Sequence, residues 1–393
     1  MGVGILVLLA ILLVIPNPWG ANRAVRALTE LGFSKGTCSD GNGTATTPES
    51  ECLAWRAKPG LSTAELAAAV PYLDKLDRRL ELNLTGTEVD NIESLDGLDG
   101  LEALDLTGTS VWNVDALKRL HALKRLVLHR TDVENIGALK GLTGLQSLSL
   151  WETRVSNLDP LKDMSGLQQL DLRDTQVRDL DPLEDLQHLE TLKLGGARNV
   201  RNIAAIGQLT GLKSLDLNET QVESLGALKR LKALQALYLA NTPVRNIDPL
   251  ADMSSLKTLV LDGTKVANID ALRGLRQMET LVLARTEVTD IDALKGLTGM
   301  RRLNLADTKV ENIDALRGLT GLQMLNLFRT SVRNVDALKG LTGLQELYLA
   351  NTPVEDVEPL RHLTGLRELV LYGTRARNVE EIKAALPKTR VVW

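Results

Sequence analysis

The sequence predicts an α/β fold: a right-handed solenoid of about fourteen coils, curved into a horseshoe, with a parallel β-sheet on the concave side and short helical or 3-10 segments on the convex side. Three observations carry this. Threonine recurs at 87, 109, 131, 153, 175, 220, 242, 264, 286, 308, 330, 352 and 374, a spacing of 22 residues broken once, where Ala197 fills the slot and a one-residue insertion restores register. Leucine stands five and three residues before every mark, from Leu82 and Leu84 to Leu369 and Leu371. Aromatic residues make up only 3% of the chain. A chain of 393 residues would otherwise suggest two or three domains, but stacked repeats extend one core along an axis and remove that expectation.

The path of each coil follows from its residue spacing. In Leu123-Lys-Arg-Leu126-Val-Leu128-His-Arg-Thr131, Leu126 and Leu128 alternate with other residues, the period of a short strand with one buried side. After the threonine the apolar spacing lengthens to three, at Val133, Ile136, Leu139 and Leu142, which predicts a tight return segment. Asp precedes Ala or Pro at Asp115, Asp159, Asp181, Asp248 and Asp336, and reads as an acidic N-cap. The threonine hydroxyl at the end of each strand can bond backbone groups of the turn, a scaffold role. Lys118, Lys162, Arg273, Lys295, Arg317 and Lys339 each follow an acidic residue by three and read as a solvated convex face.

The ends differ from the repeats. Residues 1–21 hold an apolar run, Gly2 to Ile15, closed by Pro16. As a helix it would be about 21 Å long, shorter than a bilayer core, and it fits a cleaved export signal or a short uncleaved anchor. Residues 22–78 form an N-terminal cap with helical patterns at Ala24 to Leu31 and Thr63 to Val70. Cys38 and Cys52, the only cysteines, bracket a polar stretch within it, and export would favour a disulfide between them. The repeats occupy 79–386, with Ile382 opening a helix broken by Pro387, and residues 387–393 supply a capping strand.

Composition narrows the function. A formal charge of −4, from 46 basic and 50 acidic side chains, gives no footprint for nucleic acid. Four histidines and two cysteines predict no metal site, no cofactor motif is present, and membrane contact is expected only through the apolar N-terminal segment. Catalysis finds little support: His129 near Ser149 lies on an open strand array that neither excludes water nor offers an oxyanion site.

The coils resemble the leucine-rich-repeat family, with its LxxLxLxx(N/C/T)xL pattern, as in Leu145-Gln-Ser-Leu148-Ser-Leu150-Trp-Glu-Thr153-Arg-Val155. The 22-residue coil and the segment Asn157-Leu-Asp-Pro-Leu161 are similar to the short-coil, internalin-like bacterial class. Threonine stands where that family usually has asparagine. The resemblance covers residues 79 to about 386 and implies recognition of a protein or a glycan on the concave sheet. It includes no sorting tail or immunoglobulin-like domain, so no invasion role is carried over.

Strand residues between and just after the two leucines should face the concave side. Of seven aromatics beyond the N-terminal cap, Trp151, Tyr238, Phe328, Tyr348 and Tyr372 fall there, and Trp112 and Trp393 do not. One cluster gathers Arg125, His129, Arg130, Trp151, Glu152, Arg173 and Asp174; a more apolar one gathers Phe328, Arg329, Tyr348, Asn351 and Tyr372. Gly195 and Gly196 between them leave a notch of bare backbone, read as a recognition feature or as repeat decay. The leading expectation is a non-catalytic, exported envelope or extracellular scaffold that binds a protein. A glycan binder using Trp151, Tyr348 and Tyr372, and a cytoplasmic regulatory adaptor, are the alternatives.

Overall fold

The computed structural model describes residues 20–36, 52–76 and 79–393. The apolar N-terminal run and Cys38 lie outside the described residues, and so does the expected disulfide. Among the described residues no helix is long and apolar enough to cross a membrane.

The chain begins with helix α1 (Gly20–Glu30) and strand β1 (Phe33–Gly36), which pairs antiparallel with β2 (Cys52–Ala57). Helix α2 (Thr63–Asp74) opens on a capping box: the Ser62 hydroxyl accepts from Glu65 N, and the Glu65 carboxylate accepts from Ser62 N at 2.8 Å. That backbone bond holds the Glu65 carboxyl below its ordinary value. The helix runs four residues past Val70, through Pro71, to bury Leu73. Fourteen parallel strands follow, from β3 (Arg79–Asn83) to β16 (Glu368–Val370), one per predicted coil. Helix α3 (Val379–Ala385) and strand β17 (Arg390–Val392) finish the stack.

The two cap strands β1 and β2 were not legible in the sequence, yet they explain how the core is closed. Trp55 of β2 lies beside Leu82 of β3 in the register, so a large ring covers the first row of leucines. At the far end Val391 of β17 covers Leu369, while Ile382 and Leu386 are buried beneath it. Between these lids one continuous core runs through every coil, because strands pair 22 residues apart and set leucine on leucine: Leu215, Leu237 and Leu259 are neighbours in register and fully buried.

The threonine marks act as the scaffold reading expects. Each buried hydroxyl donates to the carbonyl of the leucine three residues earlier, at 2.7 Å for Thr220 to Leu217 and 2.6 Å for Thr352 to Leu349. The bond stays within its own coil and closes the strand-to-turn corner. Ala197 lacks the hydroxyl, but its backbone N–H still reaches Leu194 O at 2.9 Å.

The acidic N-cap expectation is corrected. Asp159 and its counterparts are the first residues of the 3-10 turns, not their caps, and make no capping bond through their own side chains. The work is done two residues earlier, where the side-chain oxygen of Asn or Asp accepts the acidic residue's backbone N–H: Asn157 to Asp159 at 2.8 Å, Asn246 to Asp248 at 2.7 Å, Asn268 to Asp270 at 2.6 Å. This is an Asx turn, which gives the chain an alternative to continuing the strand. Asn268→Ala should therefore lower stability by about 1 kcal/mol, measured as a shift in urea midpoint; Asp270→Ala, which removes only an exposed ion pair to Arg273, should cost less. The order of these two variants checks the assignment.

Candidate functional site

Because the strands are in register, equivalent slots of neighbouring coils line up across the sheet. Three slots face the concave side: the residue before the first leucine, the one between the leucines, and the one after the second. The next residue, just before the threonine, turns the chain. Its φ is positive in all fourteen coils, with glycine at 86, 108, 196, 263 and 373 and a side-chain-bearing residue in the other nine. Arg130 (φ 55°), Glu152 (φ 53°) and Arg329 (φ 54°) occupy it. The left-handed backbone is costly for an L-residue, so these side chains hold a corner as well as facing solvent. The five glycines at this slot were the signal in the sequence.

The structure brings the first cluster together as a stack. His129, Trp151 and Arg173 fill the slot after the second leucine in three successive coils. The His129 and Trp151 rings lie 3.9 Å apart and 12° from parallel, and the Arg173 guanidinium sits 4.1 Å from the Trp151 ring. Both faces of the indole are thus covered, one from each neighbouring coil. Trp151 Nε1 donates to Asp174 Oδ2 at 3.0 Å. His129 Nδ1 lies 3.1 Å from Trp151 O; a carbonyl only accepts, so Nδ1 carries the proton. Arg173 is itself bound to Asp171 through Nε and Nη2, at 2.9 and 2.6 Å, which raises its already high pKa. Arg130 pairs with Glu152 at 2.6 Å. Arg125 stands apart in the slot before the first leucine and pairs with Glu81 at 3.3 Å. The cluster's hydrogen-bonding and stacking capacity is largely spent within the chain.

The glycine notch has a local explanation. A Cβ at Gly196 would meet Asp174 Oδ1 at 2.1 Å, and one at Gly195 would meet Asp216 Oδ2 at 2.9 Å. The bare backbone is where those two carboxylates pack. Burial raises the Asp216 pKa above the usual aspartate value, against the Asn218 N–H that its carboxylate accepts at 3.0 Å. A folded-state pKa above the unfolded one means the native state holds the proton more tightly, so this group loses stabilisation as pH rises through and above the ordinary carboxylate range. Asp216→Asn keeps an acceptor for Asn218 and should raise the thermal midpoint at pH 7 while leaving that at pH 3 nearly unchanged, as calorimetry at both values would show.

The C-terminal half of the face is different in kind. In coils 8 to 14 the slots between and after the leucines hold Tyr238, Ala240, Val260, Val282, Ala284, Ala306, Phe328, Tyr348, Ala350, Val370 and Tyr372, eleven apolar residues in fourteen positions. In coils 1 to 7 only Val127 and Trp151 are apolar, and five of the fourteen are charged. Phe328 and Tyr372 lie two coils apart with buried Ala350 between them, and Tyr372 is 45% exposed. Arg329 approaches the Phe328 ring at 5.8 Å and pairs with Asp307. Tyr348 Oη lies 3.2 Å from a carboxylate oxygen of both Glu346 and Glu368, and burial with these acids pushes its pKa up to about 12. Tyr238 stands alone at the other end. Sequence reasoning found the aromatics but passed over the valines and alanines that join them.

The remaining features sit off this face. Trp112 and Trp393 are exposed, at 65% and 54%. All six basic residues of the convex row are exposed, as expected, but only Arg273, Arg317 and Lys339 pair with the acidic residue three positions earlier, and Lys118, Lys162 and Lys295 form no such pair among the described residues.

No family model and no curated protein matches the chain. Solved structures do. An internalin from Listeria monocytogenes is 25% identical, with a TM-score of 0.65, over 90% of this chain and 97% of its own. The chain has the leucine-rich-repeat solenoid fold and is similar to the internalins. A leucine-rich-repeat protein of Leptospira interrogans superposes with a TM-score of 0.73 at 19% identity, over 82% of this chain and 92% of that one. A plant peptide hormone receptor, solved in complex with its peptide, has a TM-score of 0.64 at 18% identity, over 74% of this chain and 51% of that one. The two likenesses below 25% concern the fold.

Proposed function

We propose that this internalin-like chain is an exported, non-catalytic scaffold that recognises a protein through the concave face of its sheet. One observation carries the reading: a fixed frame of buried leucines presents a continuous face on which apolar and aromatic side chains are concentrated in coils 8 to 14. Such side chains supply large contact area at small entropic cost and are enriched at the centres of protein interfaces. Internalin and receptor structures among the neighbours support both the protein partner and export.

The glycan reading is weaker on geometric grounds. A sugar ring stacks on an open aromatic face, and Trp151 has none, clamped between His129 and Arg173. Tyr372 alone combines an aromatic ring with high exposure on that face. A pull-down from envelope extract beside a polysaccharide sedimentation assay separates the two readings, using wild type, Trp151→Ala and Tyr372→Ala. Protein capture that falls with Tyr372→Ala and survives Trp151→Ala supports the proposal. Retention on polysaccharide that depends on either ring would replace it with the glycan binder.

A further inference from the structure

The apolar strip has a definite width, length and charged rim, and these constrain what can lie on it. The two apolar slots together with the rim slot before the first leucine span four residues of strand, about 13 Å. That matches an α-helix with its side chains, about 10–12 Å across. Six strand steps separate β10 (Ala236–Tyr238) from β16, about 29 Å at the usual strand spacing. A helix of about 19 residues covers that distance. The floor is shallow where Val260, Val282, Ala284 and Ala306 lie side by side, and it is bounded by Tyr238 at one end and Phe328 at the other.

The rim supplies the charge pattern. In the slot before the first leucine, Arg302 of β13 (Arg302–Asn304) is exposed and has no ion-pair partner among the described residues. Two and three coils on, the same slot holds Glu346 and Glu368, opposite each other in register. Like charges facing across a pair of strands are unfavourable, and Tyr348 can donate only one proton between them. Arg390 reaches Glu368 at 3.1 Å, whereas Glu346 pairs with no cation among the described residues. A positive point and a negative one therefore lie about 10–14 Å apart along one edge of the strip, the span of two helical turns.

We infer that coils 8 to 14 seat an amphipathic helix of a protein partner, its apolar stripe on Val260, Val282 and Ala284. One flank of that helix carries a carboxylate against Arg302 and, about seven residues along, a basic side chain against Glu346 and Glu368. The inference rests on the concave face being the protein-binding face and adds the occupant and its register.

Synthetic peptides test it directly. Four labelled helical peptides of about 20 residues share one design: the first has the leucine stripe with the Glu/Lys flank, the second has Lys at both flank positions, the third Glu at both, and the fourth has the stripe changed to serine and glutamine. Fluorescence anisotropy with the full chain should show the first binding at least about tenfold tighter than the fourth. Val282→Arg should abolish that binding, and Arg302→Glu should shift preference from the first peptide to the second. Equal binding of the first and fourth peptides, or indifference to Val282→Arg in a variant with unchanged circular dichroism, overturns the inference. A captured natural partner that is lost with Ser149→Arg but not with Val282→Arg would keep the concave reading and overturn this seat. One indifferent to both would remove the face itself.

Discussion

Leu237→Ala is expected to destabilise the protein by about 3–5 kcal/mol. Leu237 is fully buried at the middle of the array and lies between Leu215 and Leu259 in register. Neither neighbour can move inward to fill the space, because each is held by its own strand pairing and by the coil beyond it. The cavity therefore persists and adds to the lost transfer energy. Stability in a stacked array is carried by contacts between adjacent coils, so the damage should fall on the join of coils 7, 8 and 9. Urea denaturation followed by circular dichroism checks this, with a lower midpoint and, if the array splits, a broader transition. A loss below about 1 kcal/mol would mean that the row of leucines relaxes in a way this close packing does not allow.

Gly196→Val is expected to cost about 2–3 kcal/mol and to disturb the stack 45 residues earlier in sequence. Gly196 has φ +76°, a region that a β-branched residue seldom occupies, and its Cβ would fall 2.1 Å from Asp174 Oδ1. Asp174 must then move, and its other oxygen holds Trp151 Nε1. The predicted signature is a change in tryptophan emission together with the stability loss. Trp151→Phe should abolish the emission change, which assigns it to Trp151 among the five tryptophans of the chain. A destabilised variant with unaltered emission would show that Asp174 does not tie the notch to the stack.

The sequence made some of this legible and concealed the rest for identifiable reasons. The leucine and threonine period defines strand positions because a 22-residue register leaves each slot only one environment; Leu84 and Leu371 are buried at opposite ends of the array for the same reason. The spacing of 129, 151 and 173 likewise placed three side chains in one row. What it could not convey was that they would satisfy one another: stacking, the Asp174 bond and the Asp171 clamp depend on rotamers. The Asx turns were not legible in the Asp-Pro and Asp-Ala pairs, because the deciding oxygen belongs to Asn157, two residues before Asp159. The cap strands β1 and β2 were missed because they are single strands outside the repeat, where no neighbouring copy reinforces the pattern. The apolar strip was less legible because single alanines and valines are common on any surface, and only the strand register that sets Val260 beside Val282 makes them continuous.

The central claim is that the leucine frame exists to present the concave face, and above all its apolar half, to a protein. The most direct measurement is hydrogen exchange by mass spectrometry on the full chain with and without a partner captured from the envelope of the source organism. The account predicts added protection on the strand segments of coils 8 to 14, with Val282→Arg removing both binding and protection and Arg317→Glu, on the convex side, affecting neither. Protection confined to the convex 3-10 turns, or binding lost with Arg317→Glu and kept with Val282→Arg, would contradict it.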